Sequence, residues 1–124
     1  MSKTTLEVGQ QLVALCKQGK NDEAVETLYS PDIVSVEAGA PPGQNPETRG
    51  LAGVKGKSAW WNENHIIHSA TTVGPFPHGD RIAVHFTYDI TAKHLGNKRM
   101  TMDEIALYTV KDGKIVREEF FYSM

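Results

Sequence analysis

The residues best equipped for chemistry in this chain are the carboxylates and tyrosines of its C-terminal half: Asp103, Glu104, Glu118 and Glu119, with Tyr88, Tyr108 and Tyr122. A carboxyl group held in an apolar pocket has its pKa raised, so it can give and take a proton near neutrality. A tyrosine hydroxyl can donate to the substrate oxygen on which charge develops. General acid–base chemistry on a small molecule is the reaction class these residue types suggest. Their faces depend on the turn at Asp112-Gly113, a strong two-residue hairpin signal because both residues tolerate positive φ. An unbroken ladder from that turn pairs Val110 with Ile115, Leu107 with Glu118 and Ala106 with Glu119. It puts Glu104 and Glu119 on one face and Asp103 and Glu118 on the other.

The histidines do not assemble a metal site. His65 and His68 are three residues apart and His85 and Asp89 four apart, while His78 and His94 fall in turns. On a strand, a spacing of three points side chains to opposite faces, and a spacing of four leaves them about 13 Å apart. Cys16 is the single cysteine, so no disulfide can form within the chain. No Ser-His-Asp spacing or dinucleotide fingerprint occurs, and Gly53-Val54-Lys55-Gly56-Lys57 lacks the strand that a phosphate loop requires. No cofactor is expected.

The elements that must hold these residues fall in a simple order. Leu6, Leu12, Val13 and Leu15 approximate a helical repeat that stops at Gly19. A short helix follows, capped by Asn21 or Asp22, with Ala24, Val25 and Leu28 inward and Pro31 as its end. Asp32–Glu37 is a β-branched run that reads as a strand. Ala38 to Gly53 is rich in Gly, Pro and Asn, with Pro41-Pro42-Gly43 and Asn45-Pro46 as turn signals, and reads as a functional loop such as a lid. A third helix spans about Gly53 to Asn64; on it Trp61 shares a face with Val54 and His65, with Trp60 about 100° away. Four strands are expected near Ile66–Phe76, Arg81–Lys93, Lys98–Lys111 and Lys114–Tyr122. Ile82, Val84, Phe86, Tyr88 and Ile90 alternate strictly with Ala83, His85, Thr87 and Asp89, which puts the second set on a convex, polar face. Helices first and antiparallel strands afterwards predict an α+β domain, its N-terminal helices packed in the concave face of a curved, mostly antiparallel sheet.

This order resembles the SnoaL-like group of the nuclear transport factor 2-like superfamily, whose members include ketosteroid isomerases, polyketide cyclases and limonene epoxide hydrolases. The resemblance covers nearly the whole chain. It rests on Leu28-Tyr29-Ser30-Pro31-Asp32, the Val36-Glu37 strand end, the Gly-rich approach to Trp60-Trp61, and Val110-Lys111-Asp112-Gly113-Lys114-Ile115. It implies a cone-like barrel with a pocket between sheet and helices, and these signatures specify a fold and not a reaction. In ketosteroid isomerases the first helix supplies a tyrosine, the end of the first strand an aspartate base, and the penultimate strand a second aspartate. Those places hold Leu12, Ala38 and Ala106 or Ile105 here, so the chain is not expected to be a ketosteroid isomerase. Glu37, next to the missing base, is expected on the opposite face.

The resemblance favours Ala106, Tyr108 and Val110 inward, and with them Glu104, the first candidate for catalysis. It also favours Glu118, Phe120 and Tyr122 inward, which requires a bulge near the turn. Glu104 reads either as a general acid or base or as a buried carboxylate held by a structural partner. Tyr88, Tyr108, Tyr122, Phe86, Phe120 and Trp61 read either as walls for a flat ligand or as core. The function implied is a pocket for a small apolar or aromatic molecule, as in a cyclase or isomerase acting on a carbonyl-bearing or aromatic compound. The alternative is a non-catalytic ligand-binding or accessory domain of the same fold.

Composition narrows the partners. The 124 residues suffice for one core, so 1–124 reads as a single domain. Thirteen Lys and Arg against fifteen Asp and Glu leave a net charge of −2, which is neither a nucleic-acid footprint nor an anionic-membrane patch. No apolar run reaches the roughly 18 residues of a membrane span, and the N-terminus has no signal-peptide pattern, so a cytoplasmic protein is expected. Ile105 and Leu107 on the convex face predict a homodimer.

Overall fold

The computed structural model describes residues 3–40 and 42–123, so Pro41 of the expected Pro41-Pro42-Gly43 turn lies outside the described residues. In chain order the elements are α1 (Thr5–Lys17), α2 (Asn21–Leu28), β1 (Tyr29–Val36), β2 (Glu47–Arg49), α3 (Leu51–Asn64), β3 (His65–His78), β4 (Arg81–Ala92), β5 (Lys98–Lys111) and β6 (Lys114–Phe121), with a 3₁₀ turn at Lys93–Leu95. The strands form one sheet in the order β2-β1-β6-β5-β4-β3, antiparallel except where β1 runs parallel to β6. Three helices packed on this mostly antiparallel, curved sheet make an α+β cone-like fold, as expected.

Local chemistry explains most of the boundaries. Thr4 and Glu7 close a capping box at the start of α1, each bonding the other's backbone N–H. Gly19, at φ +72°, follows the end of that helix. Gly9 lets α1 lie against the sheet: a Cβ there would meet Ile82 Cδ1 at 3.0 Å and Pro75 Cβ at 3.1 Å. In β4 the alternation holds, with Ile82, Val84, Phe86 and Ile90 buried and His85, Thr87 and Asp89 half-buried on the other face. Asp112 and Gly113 both adopt positive φ and join β5 to β6 as expected. The core gathers Val8, Leu12, Leu28 and Ile33 from the N-terminal half with Ile82, Val84, Ala106 and Ile115 from the sheet. No helix among the described residues is long and apolar enough to cross a membrane.

Four expectations about element limits are corrected. Neither Asn21 nor Asp22 caps α2; Lys20 is at the N-cap position and no side chain bonds there. Pro31 does not end the helix; β1 already begins at Tyr29 and Pro31 is exposed within it, on a stretch where β1 and β6 lose register and no ladder N–H is needed. The Ala38–Gly53 segment is not structureless, because β2 pairs with β1 through Val34–Arg49, Ser35–Thr48 and Val36–Glu47. His78 ends a strand instead of sitting in a turn.

The most consequential correction is the β5–β6 register. Val110 faces Ile115, but Thr109 faces Arg117, so Val116 is an extra residue in β6. Beyond this bulge Tyr108 pairs with Glu118 and Ala106 with Phe120, in place of the unbroken-ladder pairs. Glu118 thereby joins the face of Glu104, and Glu119 leaves it. This is the bulge that the family pattern required.

Candidate functional site

Four elements deliver polar side chains to one place on the concave face. β1 contributes Tyr29 at its start and Ser35 near its end, both buried. Glu37 follows just past the strand, α3 provides Lys57, β5 provides Glu104, and β6 provides Glu118 with Tyr122 beyond its end. At the centre is Glu118, only 3% exposed. Its Oε2 accepts from the Tyr29 hydroxyl and its Oε1 from Ser35 Oγ at 2.8 Å. Ser35 Oγ in turn accepts from Lys57 Nζ at 2.7 Å. Lys57 Nζ lies 2.7 Å from Glu37 Oε1, and Tyr122 donates to Glu37 Oε2 at 2.9 Å. A continuous chain therefore runs Tyr29–Glu118–Ser35–Lys57–Glu37–Tyr122, from full burial to half-exposure.

Glu37 corrects an expectation. Alternation puts it on the face of Ser35, and Ser35 is the inward residue, so Glu37 joins the cluster while Ala38 is exposed. The chain is steadied there by the Glu37 N–H bond to Pro46 O at 3.0 Å.

Glu104 differs from its neighbours. It is half-buried, and no side-chain hydrogen bond to it exists among the described residues. Its oxygens are not sealed either, since no buried side-chain oxygen or nitrogen among those residues lacks a partner. The carboxyl of Glu104 thus meets open space. Burial, then the nearby Glu37 and Glu118 carboxylates, pushes its pKa up to about 7, with Lys57 pulling the other way. Burial also raises Glu118, against the hydrogen bonds from Tyr29 and Ser35 that favour its charged form. Tyr29 and Tyr108 are raised well above their ordinary range, chiefly by burial and then by Glu118. The Cys16 thiol, on the same side, is pushed up to about 12 by burial and by Glu118, so it is no nucleophile.

An aromatic layer adjoins this cluster. Phe86 sits opposite Glu104 on the neighbouring strand, with Tyr88 stacked beside it at 6.0 Å between ring centroids. Trp61 lies 5.9 Å from Tyr88 and stacks on His65 at 3.7 Å, with Val54 buried on the same helix face; Trp60 is turned outward and 51% exposed. Lys57 Nζ is 5.5 Å from the centroid of Phe120. Outside the helices a cavity of about 360 Å³ opens between the ends of β1 and β6, and Glu37, Ala38, Phe120 and Tyr122 line part of it.

Of the eight candidates, the structure brings Glu104, Glu118, Tyr108, Phe120 and Tyr122 to the polar cluster. Phe86, Tyr88 and Trp61 form the adjoining layer, and of the eight only Phe120 and Tyr122 border the cavity between the ends of β1 and β6. Tyr29, Ser35, Glu37 and Lys57 are the functional groups that sequence reasoning missed. His85 and Asp89 are on the convex face, bonded to Asp103 and Arg99, and no group of three or more His, Cys, Asp or Glu among the described residues is placed to hold a metal ion.

Comparison with known proteins agrees with this architecture. No curated protein matches the chain. Among solved structures, a proposed SnoaL-like polyketide cyclase from Mesorhizobium loti is 41% identical, with a TM-score of 0.91 over 97% of this chain and 100% of that one. A proposed isomerase from Bacillus subtilis is 16% identical, with a TM-score of 0.78 over 98% and 90% of the two chains. TerC, crystallised with polyporic acid, is 21% identical, with a TM-score of 0.70 over 96% and 91%. The last two likenesses show the fold alone. The SnoaL-like domain model matches residues 3–122, nearly the full length, and the chain belongs to the SnoaL-like family.

Proposed function

We propose that this protein is an enzyme that moves a proton on a small carbonyl-bearing compound with a flat apolar body, in a cyclase or isomerase reaction, and that Glu104 carries the proton. One observation carries the reading: Glu104 is the carboxyl of the cluster that meets open space without a hydrogen-bond partner among the described residues, and its pKa is pushed up to about 7. A base of that strength is half-ionised at neutral pH, where both proton abstraction and return are efficient. Lys57, fixed by Ser35 and Glu37, is the positive group nearest to charge developing on a substrate oxygen. Tyr88, half-buried and facing the same side, orients the substrate. Tyr108 is too deeply buried for this. Glu118, with both oxygens taken, acts as a positioning residue that aims Lys57 through Ser35. The 41% identical Mesorhizobium loti protein, a proposed SnoaL-like polyketide cyclase, is in keeping with a cyclase reaction. The lone Cys16 fits a reducing compartment such as the cytoplasm.

The test is deuterium exchange at the α-carbons of uncharged aryl ketone compounds in D2O, followed by NMR. The native protein should accelerate exchange at pH 7–8 by about tenfold or more over buffer, and Glu104→Gln should remove about a hundredfold or all of it. Equal rates for both proteins and buffer would retire the enzyme reading in favour of a non-catalytic ligand-binding domain.

A further inference from the structure

The charges of the cluster decide what can enter it. Glu37, Glu104 and Glu118 converge on one ammonium, Lys57. That ammonium is committed already: it lies 2.7 Å from Glu37 Oε1, donates to Ser35 Oγ at 2.7 Å and rests 5.5 Å from the Phe120 centroid. The other titratable groups facing the cluster are Tyr29, Tyr88, Tyr108, Tyr122 and Cys16, all held neutral. No Arg or His among the described residues bonds to Glu104 or Glu118. Glu37 cancels Lys57, and nothing positive remains for an incoming anion.

We infer that the site takes its carbonyl substrate uncharged, as a ketone, ester or thioester, and turns away the free carboxylate; the inference rests on the proton-transfer reading and names its substrate class. A ligand carboxylate beside Glu104 adds negative charge in surroundings that screen it poorly. It enters only by picking up a proton or by displacing Glu37 from Lys57. An uncharged carbonyl pays no such penalty. Its oxygen accepts from Lys57 or from the Tyr88 hydroxyl, and its apolar body lies against the half-buried Tyr88, which stacks beside the buried Phe86. Glu104 is thus a specificity-determining residue as well as the proton carrier.

Equilibrium dialysis against methyl 2-naphthoate, 2-naphthoate and 2-naphthylmethylammonium, at pH 8 and low salt, tests this. The native protein should bind the ester about tenfold or more tightly than the acid. Glu104→Gln should narrow that gap severalfold, while Glu63→Gln, exposed on α3 and outside the cluster, should leave it unchanged. Lowering the pH to 6 should narrow the gap in the native protein as well, so the reading does not hang on one variant. Equal or tighter binding of the acid overturns the inference. A clear preference for the ammonium compound over the ester also overturns it, by making the site a cation receptor. Binding of none of the three removes the flat apolar substrate class. If deuterium exchange still depends on Glu104 in any of these cases, the proton-transfer reading stands and the substrate class alone falls.

Discussion

Tyr108 and Glu118 stand directly opposite one another on β5 and β6, and they do so because Val116 is an extra residue in β6. The bulge turns Glu118 onto the face of Glu104 and Tyr108 and brings it within reach of Tyr29 and Ser35 from β1. Removing the carboxylate leaves two buried hydroxyls without an acceptor. Glu118→Ala is therefore expected to cost about 2–4 kcal/mol of stability, and Tyr29→Phe, which removes one donor only, about 1–1.5 kcal/mol. Urea unfolding at neutral pH measures both. An alanine variant within about 0.5 kcal/mol of the native protein would show that Glu118 anchors nothing.

Glu104 should behave in the opposite way. Its folded pKa, pushed up to about 7, exceeds the unfolded value, so the folded state binds its proton more tightly. Below the unfolded pKa both states are protonated and nothing is lost. As pH rises through that value the fold begins to pay for keeping the group neutral or burying its charge, and above about 7 the penalty is complete. Glu104→Gln, isosteric and neutral, should be about 1–2 kcal/mol more stable than the native protein at pH 8 and nearly equal to it at pH 4. Urea titrations at the two pH values decide this. A variant less stable at pH 8 would identify Glu104 as a paired structural carboxylate.

Much of this arrangement was legible in the residues. The limits of β5, the Asp112-Gly113 turn and the inward set of β4 all follow from local pattern, and they suffice to make Glu104 a candidate. The bulge at Val116 is not local: one residue more or less in β6 satisfies the turn equally, and only the curvature that wraps the sheet over α1 selects it. Lys57 was invisible for a related reason. It sits on a helix among Gly, Lys and Ser with no apolar face to orient it, and only the packing of α3 on β1 brings it to Ser35. Glu37 was misplaced because the family pattern put Ala38 inward, whereas here the buried hydroxyl of Ser35 sets the parity of the strand end.

The convex face carries a second prediction from register. Val73, His85, Ile105 and Phe121 pair successively across β3, β4, β5 and β6, forming one row of adjacent side chains. Val73 is 44%, Ile105 42% and Phe121 52% exposed. Polar groups in and beside the row are paired within the chain, His85 with Asp103 and Asp89 with Arg99, so the row faces outward with little polar competition. A second copy of this chain is the expected cover, through a two-fold contact of the row with itself. Sedimentation equilibrium should give a dimer at micromolar concentration and a folded monomer for Ile105→Asp. A native monomer would count against the interface.

Lys57 and Glu37 offer the sharpest check of the electrostatics, because they act on Glu104 in opposite directions. The Glu37 carboxylate helps to raise the pKa of Glu104, and the Lys57 ammonium holds it down. Glu37→Gln removes one repelling charge and also frees Lys57 from its ion pair, so both consequences favour ionised Glu104. Lys57→Met removes the attraction and leaves Glu37 uncompensated, so both consequences favour the protonated form. The midpoint of Glu104, followed through its side-chain carboxyl carbon by NMR, should therefore fall below about 7 in Glu37→Gln and rise above it in Lys57→Met. In the deuterium-exchange assay the pH at half-maximal rate should move with the same signs, since the rate tracks ionised Glu104. Shifts of the same sign in the two variants, or none in either, would mean that Glu104 does not share a field with the Lys57–Glu37 pair, and the charge selection argued for the site would fall with it.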